Sequence, residues 1–237
     1  MGTDPFGRAV RDHHLGEMAD PLVVRDGEET REHPIEAFYF APIDDEETTA
    51  WIEERIDGPL LDIGAGAGKH TLYFQERFET VAIEVTDDLV AVMDDRGVED
   101  AREGDMFALR EDFERDRFDS ALAYGTQACL TGSLAGLREF LADLAWITAP
   151  DATAVIDGYD PASEATTDLL GYRADPTPGL AHRVMHFEYD ETVGETLLFR
   201  LFSPDRLREA ATGTPWTVDE VRTDEEGSHY LAALEKE

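Results

Sequence analysis

The chain has 237 residues with 54 acids against 20 bases, a formal charge of -34, and only Lys69 and Lys236 as lysines. Such self-repulsion opposes compaction in dilute salt but is screened near 1 M salt, where the Debye length falls to about 3 Å, so the composition fits the cytoplasm of an extreme halophile and says little about the substrate. A hydrophobic content of 42% supports one core in one domain, the lone Cys129 excludes an internal disulfide and a thiolate metal cluster, and the lack of an apolar run of ~18 residues or of a basic, apolar leader gives the expectation of a soluble cytoplasmic protein, monomer or homodimer.

Residues 1–50 are polar and punctuated by Pro5, Pro21, Pro34 and Pro42, with the aromatic cluster Phe38-Tyr39-Phe40 near their end. Short helices and turns forming a lid in front of a sheet are expected there. The run Leu60-Leu61-Asp62-Ile63 reads as a buried parallel strand. It opens into Gly64-Ala65-Gly66-Ala67-Gly68, whose glycines let the backbone turn sharply and approach a ligand. Lys69 to Phe78 carries no proline and has apolar residues at 74 and 78, the pattern of the helix that such a turn opens. A second strand, Thr80 to Ile83, ends in Glu84, where a carboxylate can accept from two ribose hydroxyls. The next helix starts at Thr86 as N-cap and stops at Gly97. A short third strand precedes Glu103-Gly104-Asp105-Met106.

Beyond the charged segment Arg110 to Arg117, Phe118 to Tyr124 is the fourth strand, followed by the small-residue break Gly125-Thr126-Gln127-Ala128. Leu134, Leu137, Leu141 and Leu144 mark a long amphipathic helix, and Ala152 to Asp157 the fifth strand. Pro161 to Gly179 reads as a loop. His182 to Tyr189 and Glu195 to Phe202 read as strands of a hairpin around Gly194. A short helix opens at Pro204, and Trp216 to Thr223 with His229 to Leu234 form a closing antiparallel pair.

The dinucleotide fingerprint would need a glycine at position 69, where the chain has Lys69, which disfavours nicotinamide and flavin cofactors. The ordered set Asp62-x-Gly64-x-Gly66-x-Gly68, then Glu84, then Asp105, then Phe118-Asp119 resembles the class I S-adenosylmethionine-dependent methyltransferases over roughly residues 58 to 160. The resemblance implies an α/β, Rossmann-like, seven-stranded and mostly parallel sheet with helices on both faces, an antiparallel closing strand, an N-terminal helical lid and an inserted β-hairpin. It divides a single domain, 1–237, into a lid segment (1–50), a cofactor half (51–160), a substrate cap with hairpin (161–203) and closing strands (204–237). It also implies that Gly64, Gly66 and Gly68 pack against the methionine part of S-adenosyl-L-methionine, that Glu84 holds the ribose, and that Asp105 with Met106 holds adenine. Asp62 would orient the turn and the cofactor amine through water, while Ala65, Val85, Tyr124 and Gly125 complete the cofactor set, with S-adenosyl-L-homocysteine as product.

Reacting groups in an open α/β sheet come from the carboxyl ends of the strands, here Tyr124 to Gln127 and Asp157 to Asp160. The Asn/Asp-Pro-Pro-Tyr/Phe motif of enzymes acting on DNA bases or glutamine amides is absent, which leans toward a small-molecule substrate over nucleic acid. An RNA or protein methyltransferase and a non-catalytic cofactor-binding protein are the alternatives. Asp157, Tyr159 and His182 are candidates for a general base. Tyr39 is either a ligand contact or a packing plug. Gln127 and Arg183 are candidate substrate contacts, and Arg183 and Arg200 either clamp a substrate carboxylate or pair outward with acids. Cys129 is read as a small buried apolar residue. No metal is expected: His13 and His14 are adjacent, His182 and His186 are about 13 Å apart along a strand, and the H-E-x-x-H motif is absent.

Overall fold

The structure, a computed structural model, describes residues 4–43 and 45–237. Asp4 caps α1 (Pro5–Leu15), accepting from the Phe6 and Gly7 N–H groups, and Gly16 ends it in the left-handed conformation. Strands β1 (Val23–Asp26) and β2 (Glu29–Glu32) form a hairpin, and a π-helical turn at Glu36–Phe40 leads to α2 (Glu46–Glu53). The nucleotide-type half follows as β3 (Leu60–Ile63), α3 (Lys69–Phe74), β4 (Thr80–Glu84), α4 (Asp87–Arg96), β5 (Ala101–Glu103), α5 (Leu109–Asp112), β6 (Phe118–Ala123), α6 (Leu134–Ile147) and β7 (Thr148–Tyr159). The remainder is β8 (Tyr172–Ala174), β9 (Leu180–Tyr189), β10 (Thr192–Val193), β11 (Leu197–Phe202), α7 (Pro204–Ala211), β12 (Trp216–Thr223) and β13 (His229–Lys236).

Seven strands form one sheet in the order β12-β13-β7-β6-β3-β4-β5. β7, β6, β3, β4 and β5 run parallel, whereas β13 is antiparallel to both β7 and β12. The chain winds outward from β3 in both directions, so the switch point lies between β3 and β6, where α/β sheets bind ligands. Every residue of β3 is buried because helices cover both faces. Leu61 and Ile63 pack with Leu137, Phe140, Leu141 and Leu144 of α6, while Leu60 joins Trp51, Ile52 and Phe74 on the other side. Strands buried on both faces have no polar alternation, which is why the parallel strands read as continuous apolar runs. Each fully buried leucine contributes roughly 1.5–3 kcal/mol.

The second half departs from the expected lid and cap. β9 is the long central strand of a second, antiparallel sheet, flanked by β10 and β11 along one edge and by β8 and β1 along the other. The N-terminal segment has the expected short helices, α1 and the π-helical turn, and adds a hairpin that was not expected, whose Val24 lies opposite Phe187 of β9. Lid and cap are one sheet. The local signal was Asp26-Gly27, a hairpin dipeptide, with Gly27 at a φ of +59°. The segment 161–179, expected as a loop, contains a 3-10 turn at Ala165–Asp168 as well as β8. The predicted β9–β11 pairing is present, with Leu197 opposite Met185 and Phe202 opposite Leu180.

Candidate functional site

The glycine turn leaves β3 with the Gly64 and Ala65 N–H groups donating to the Ile83 carbonyl, at 3.0 and 3.2 Å. Gly64 and Gly66 have φ of +65° and +60°, a region that L side chains enter only at a cost. Both are also crowded: a Cβ on Gly66 would lie 3.0 Å from the Tyr39 ring, and one on Gly64 would lie 2.3 Å from the Gln127 amide carbon, so the Gln127 side chain would have to move. Gly68 closes the turn against Val98, 2.7 Å from where its Cβ would be.

Three acids surround the turn. Glu84, buried at the end of β4, accepts from the Gly66 N–H through Oε1 (2.8 Å) and from the Val85 N–H through Oε2 (3.0 Å). Burial raises its pKa against the lowering effect of those two donors. Asp62 accepts from the Thr71 hydroxyl at 2.6 Å, and burial pushes its carboxyl up to about 7. Asp105 is exposed two residues past β5 and accepts from the Phe107 N–H at 2.9 Å. Because Glu84 lies opposite Glu103 in the β4–β5 register, Val85 and the segment Asp105-Met106-Phe107 emerge side by side. Val85 is 66% exposed and Phe107 53%, while Met106 is buried. Two exposed apolar side chains next to an exposed carboxylate make a slot suited to a flat heterocycle bearing an amino group.

Across the switch point, the β6 tip is strained. Thr126 has a φ of +65° after Gly125 at +98°, and its N–H donates to Asp157 Oδ1 at 2.6 Å. A non-glycine residue in that conformation persists where surrounding structure holds it, and Asp157 supplies the hold. The second oxygen of this buried carboxylate is 2.8 Å from His229 Nε2. The His229 ring packs on Tyr159 (centroids 5.3 Å apart) and Tyr124 (6.1 Å), and Tyr124 packs on His70 (4.6 Å). Burial pulls the His229 pKa down, but the hydrogen bond and charge of Asp157, joined by Asp224, outweigh it and leave it raised. Burial and the neighbouring Lys69 lower His70 to about 4, and burial with the Asp157 charge raises Tyr124 to about 12. Gln127 reaches back, its amide donating to the Gly64 carbonyl at 3.4 Å.

The lid segment is pinned to the turn from the other side. Arg96 donates to the carbonyls of Tyr39 (3.0 Å) and Ala67, Lys69 donates to the Ala37 carbonyl (3.3 Å), and the Tyr39 hydroxyl is 3.2 Å from His33 Nε2. Tyr39 thus lies directly over Gly66.

Contacts link Tyr39 with Gly66, Gly66 with Glu84, Gln127 with Gly64, and Asp157 with Thr126 and, through His229, with Tyr124 and Tyr159. His182 does not join them. It lies opposite Arg200 in the β9–β11 register, packed against that guanidinium beside Asp175, and strand alternation turns it away from its neighbour Arg183. Arg200 takes the outward alternative, 2.8 Å from Asp175. Arg183 takes neither, its Nε–H donating instead to the Leu170 carbonyl at 3.0 Å. Cys129 is buried among Leu170, Ala181 and Leu201, and burial pushes its thiol up. Among the described residues no three His, Cys, Asp or Glu side chains are grouped to hold a metal ion.

His229, paired with Asp157 at the β6 tip, is the residue of this cluster that was not among the candidates read from the sequence. It was legible only as part of a closing strand. Because β13 is antiparallel, its first residue lies at the carboxyl edge of the parallel strands, opposite Tyr159. A signal existed: the first residue of an antiparallel closing strand must lie at that edge.

The sheet order, the switch point and the glycine turn with its acids define the Rossmann-like methyltransferase fold. Solved structures of that fold superpose on most of the chain. A SAM-dependent methyltransferase from Bacteroides fragilis, in complex with S-adenosyl-L-homocysteine, matches with a TM-score of 0.78 and 24% identity, over 98% of this chain and 94% of that one. The CcbJ methyltransferase from Streptomyces caelestis matches at 0.60 and 12% identity, over 80% and 88%. A 1,6-didemethyltoxoflavin-N1-methyltransferase from Burkholderia thailandensis, with 1,6-didemethyltoxoflavin and S-adenosylhomocysteine bound, matches at 0.50 and 21%, over 75% and 70%. No protein-family model and no curated protein sequence matches the chain.

Proposed function

We propose that this protein is an S-adenosyl-L-methionine-dependent methyltransferase acting on a small-molecule acceptor. The observation that carries the reading is Glu84, whose carboxylate ties the tip of β4 to the Gly66 N–H: the turn and the acid of a nucleoside site are held in one hydrogen-bonded unit. The residues fit the cofactor. Each Glu84 oxygen retains acceptor capacity for a ribose hydroxyl. The cofactor supplies a sulfonium-activated methyl group.

The protein's own contribution is alignment, worth up to ~7–11 kcal/mol when two reactants are held in line, and removal of one proton. With its Nε2 proton on Asp157, His229 presents Nδ1 as a base. His229 would accept the proton that the acceptor gives up as it becomes methylated, and Asp157 would hold the imidazolium that forms. Tyr39 over Gly66 and the second sheet favour an enclosed, small acceptor. Most arginines in the chain already face carboxylates, which disfavours a basic face for RNA. The acidic composition supports a salt-rich cytoplasm as the setting.

Thermal unfolding in multimolar KCl, with and without S-adenosyl-L-methionine or S-adenosyl-L-homocysteine, tests the reading. Ligand at 100 times its dissociation constant should add about 2.7 kcal/mol, and Glu84→Ala should abolish the shift. A folded wild-type protein that gives no shift sinks the assignment.

A further inference from the structure

The second sheet sorts its arginines by face. On the outer face, Arg25 meets Glu188 at 2.7 Å and Arg200 meets Asp175 at 2.8 Å, while Arg173 of β8 reaches Asp26 at the end of β1 at 2.7 Å. On the inner face the register places Arg31 across Val24 from Phe187, with Met185 and Arg183 following at two-residue steps along β9 and Phe199 opposite Arg183. Among the described residues neither Arg31 nor Arg183 has a carboxylate within ion-pair distance. In a chain with 54 acids against 20 bases, a half-buried arginine without an acid is conspicuous, because almost any surface orientation would find one.

Apart from the cation Arg31, the neighbours of Arg183 are apolar or uncharged. Its Nε–H is on the Leu170 carbonyl, its guanidinium lies 5.9 Å from the Phe199 ring centre, and Val24, Met185 and Phe199 are buried beside it in the cluster that also packs against Tyr159 and Phe187. Burial lowers its pKa and the like charge of Arg31 adds to that, whereas a hydrogen bond to Glu188 raises that of the Arg25 guanidinium. His33, whose ring is 5.3 Å from Phe187, is lowered to about 4 by burial and by Arg183, so it is neutral at pH 7. Tyr159 in turn meets the His229 ring edge to face. An apolar strip therefore runs from the His229–Asp157 pair to one desolvated, unpaired guanidinium.

We propose that the methyl acceptor is an organic acid with an apolar or aromatic body, its carboxylate held by the Arg183 guanidinium and its nucleophilic oxygen or nitrogen at His229. The proposal rests on the methyltransferase reading for the nucleophile, while the anion site stands on Arg183 alone. A planar carboxylate matches the two-pronged fork of a guanidinium, and the aromatic walls match an apolar body better than a bare phosphate.

The test uses matched probes: 4-hydroxybenzoate and 4-hydroxyphenylacetate, each against its primary amide. Binding is followed by calorimetry on the full chain, with and without S-adenosyl-L-homocysteine, in the lowest KCl that keeps the protein folded, because chloride competes. Wild type should bind the acids at least about tenfold more tightly than the amides, as expected for a charge-assisted hydrogen bond. Arg183→Gln should erase that preference, Arg183→Lys should restore part of it, and Arg25→Gln should leave it intact. Failure of both acids to bind, an equal affinity for acid and amide in wild type, or a preference that survives in Arg183→Gln overturns the proposal. The S-adenosyl-L-homocysteine titration in the same series reports separately on the cofactor: no heat there with the acid preference intact refutes the transferase reading and leaves the anion site standing.

Discussion

Asp157 serves two partners at once: Oδ1 accepts from the Thr126 N–H at 2.6 Å and Oδ2 faces His229 Nε2 at 2.8 Å. One buried carboxylate from β7 therefore fixes the strained tip of β6 and orients a histidine from β13. The three strands lie side by side in the sheet, but Thr126 and His229 are more than a hundred positions apart along the chain.

His229→Gln is expected to lower kcat by about 10²–10⁴-fold, the usual contribution of a positioned base, with S-adenosyl-L-homocysteine affinity unchanged. The neutral imidazole is the active form, so the rate should rise with pH through a value above the ordinary histidine pKa, because Asp157 raises it. Asp157→Asn should move that limb to lower pH. The same shift stabilises the fold below pH ~6.5, where the imidazole is protonated in both states, and that contribution is lost as pH rises through the raised folded value. Steady-state rates and unfolding midpoints against pH check both.

Asp62 gives the opposite diagnosis of function against stability. Its folded pKa is about 7 because it is buried, so the folded state holds a proton that the unfolded chain releases near pH ~4. Stability contributed by that proton falls from about pH 4 to 7 and is flat above. Asp62→Asn should remove the loss, making the variant more stable than wild type at pH 8 by a margin that closes toward pH 4. If the carboxylate orients the cofactor amine, wild-type affinity for S-adenosyl-L-homocysteine rises between pH 6 and 8, and the variant is weaker and flat. Chemical denaturation and calorimetry over that range decide it.

Gly66→Ala combines a left-handed φ of +60° with a Cβ 3.0 Å from Tyr39. The backbone alone costs roughly 1–2 kcal/mol, and relieving the contact requires Tyr39 to lift. A lower unfolding midpoint together with loss of the S-adenosyl-L-homocysteine shift is expected, whereas Gly97→Ala, also at positive φ but with open space around it, should lower stability and keep binding.

Salt should raise the unfolding midpoint strongly between 0.1 and 1 M KCl, the interval over which the Debye length contracts from about 10 to about 3 Å. Sorbitol at equal osmolality lacks charge and should reproduce little of the effect. A midpoint insensitive to KCl would contradict a salt-adapted surface.

The glycine turn, Glu84 and the buried parallel strands were legible in the residues because their causes are local. A strand covered on both faces must be apolar along its length, a turn that approaches a ligand must lack Cβ atoms, and an acid that meets that turn must end the next strand. Spacing alone conveys all three. The helix bounds at Thr86 and Gly97 were legible for the same reason: the cap is chemistry within one turn of chain.

What only the tertiary structure decided depends on pairing between distant segments. Val24 of the N-terminal hairpin lies opposite Phe187, a union of lid and cap that neither short strand encodes, because β1 and β2 lie at the sheet's margin and carry little alternation of their own. Strand register sent His182 and Arg200 to an outer, acid-paired face and Arg183 to an inner one, although residues 182 and 183 are neighbours. The antiparallel direction of β13 carried His229 to Asp157. Local sequence carries turns, caps and apolar periodicity; which face a side chain takes, and which partner it meets across a sheet, is set by long-range hydrogen-bond register.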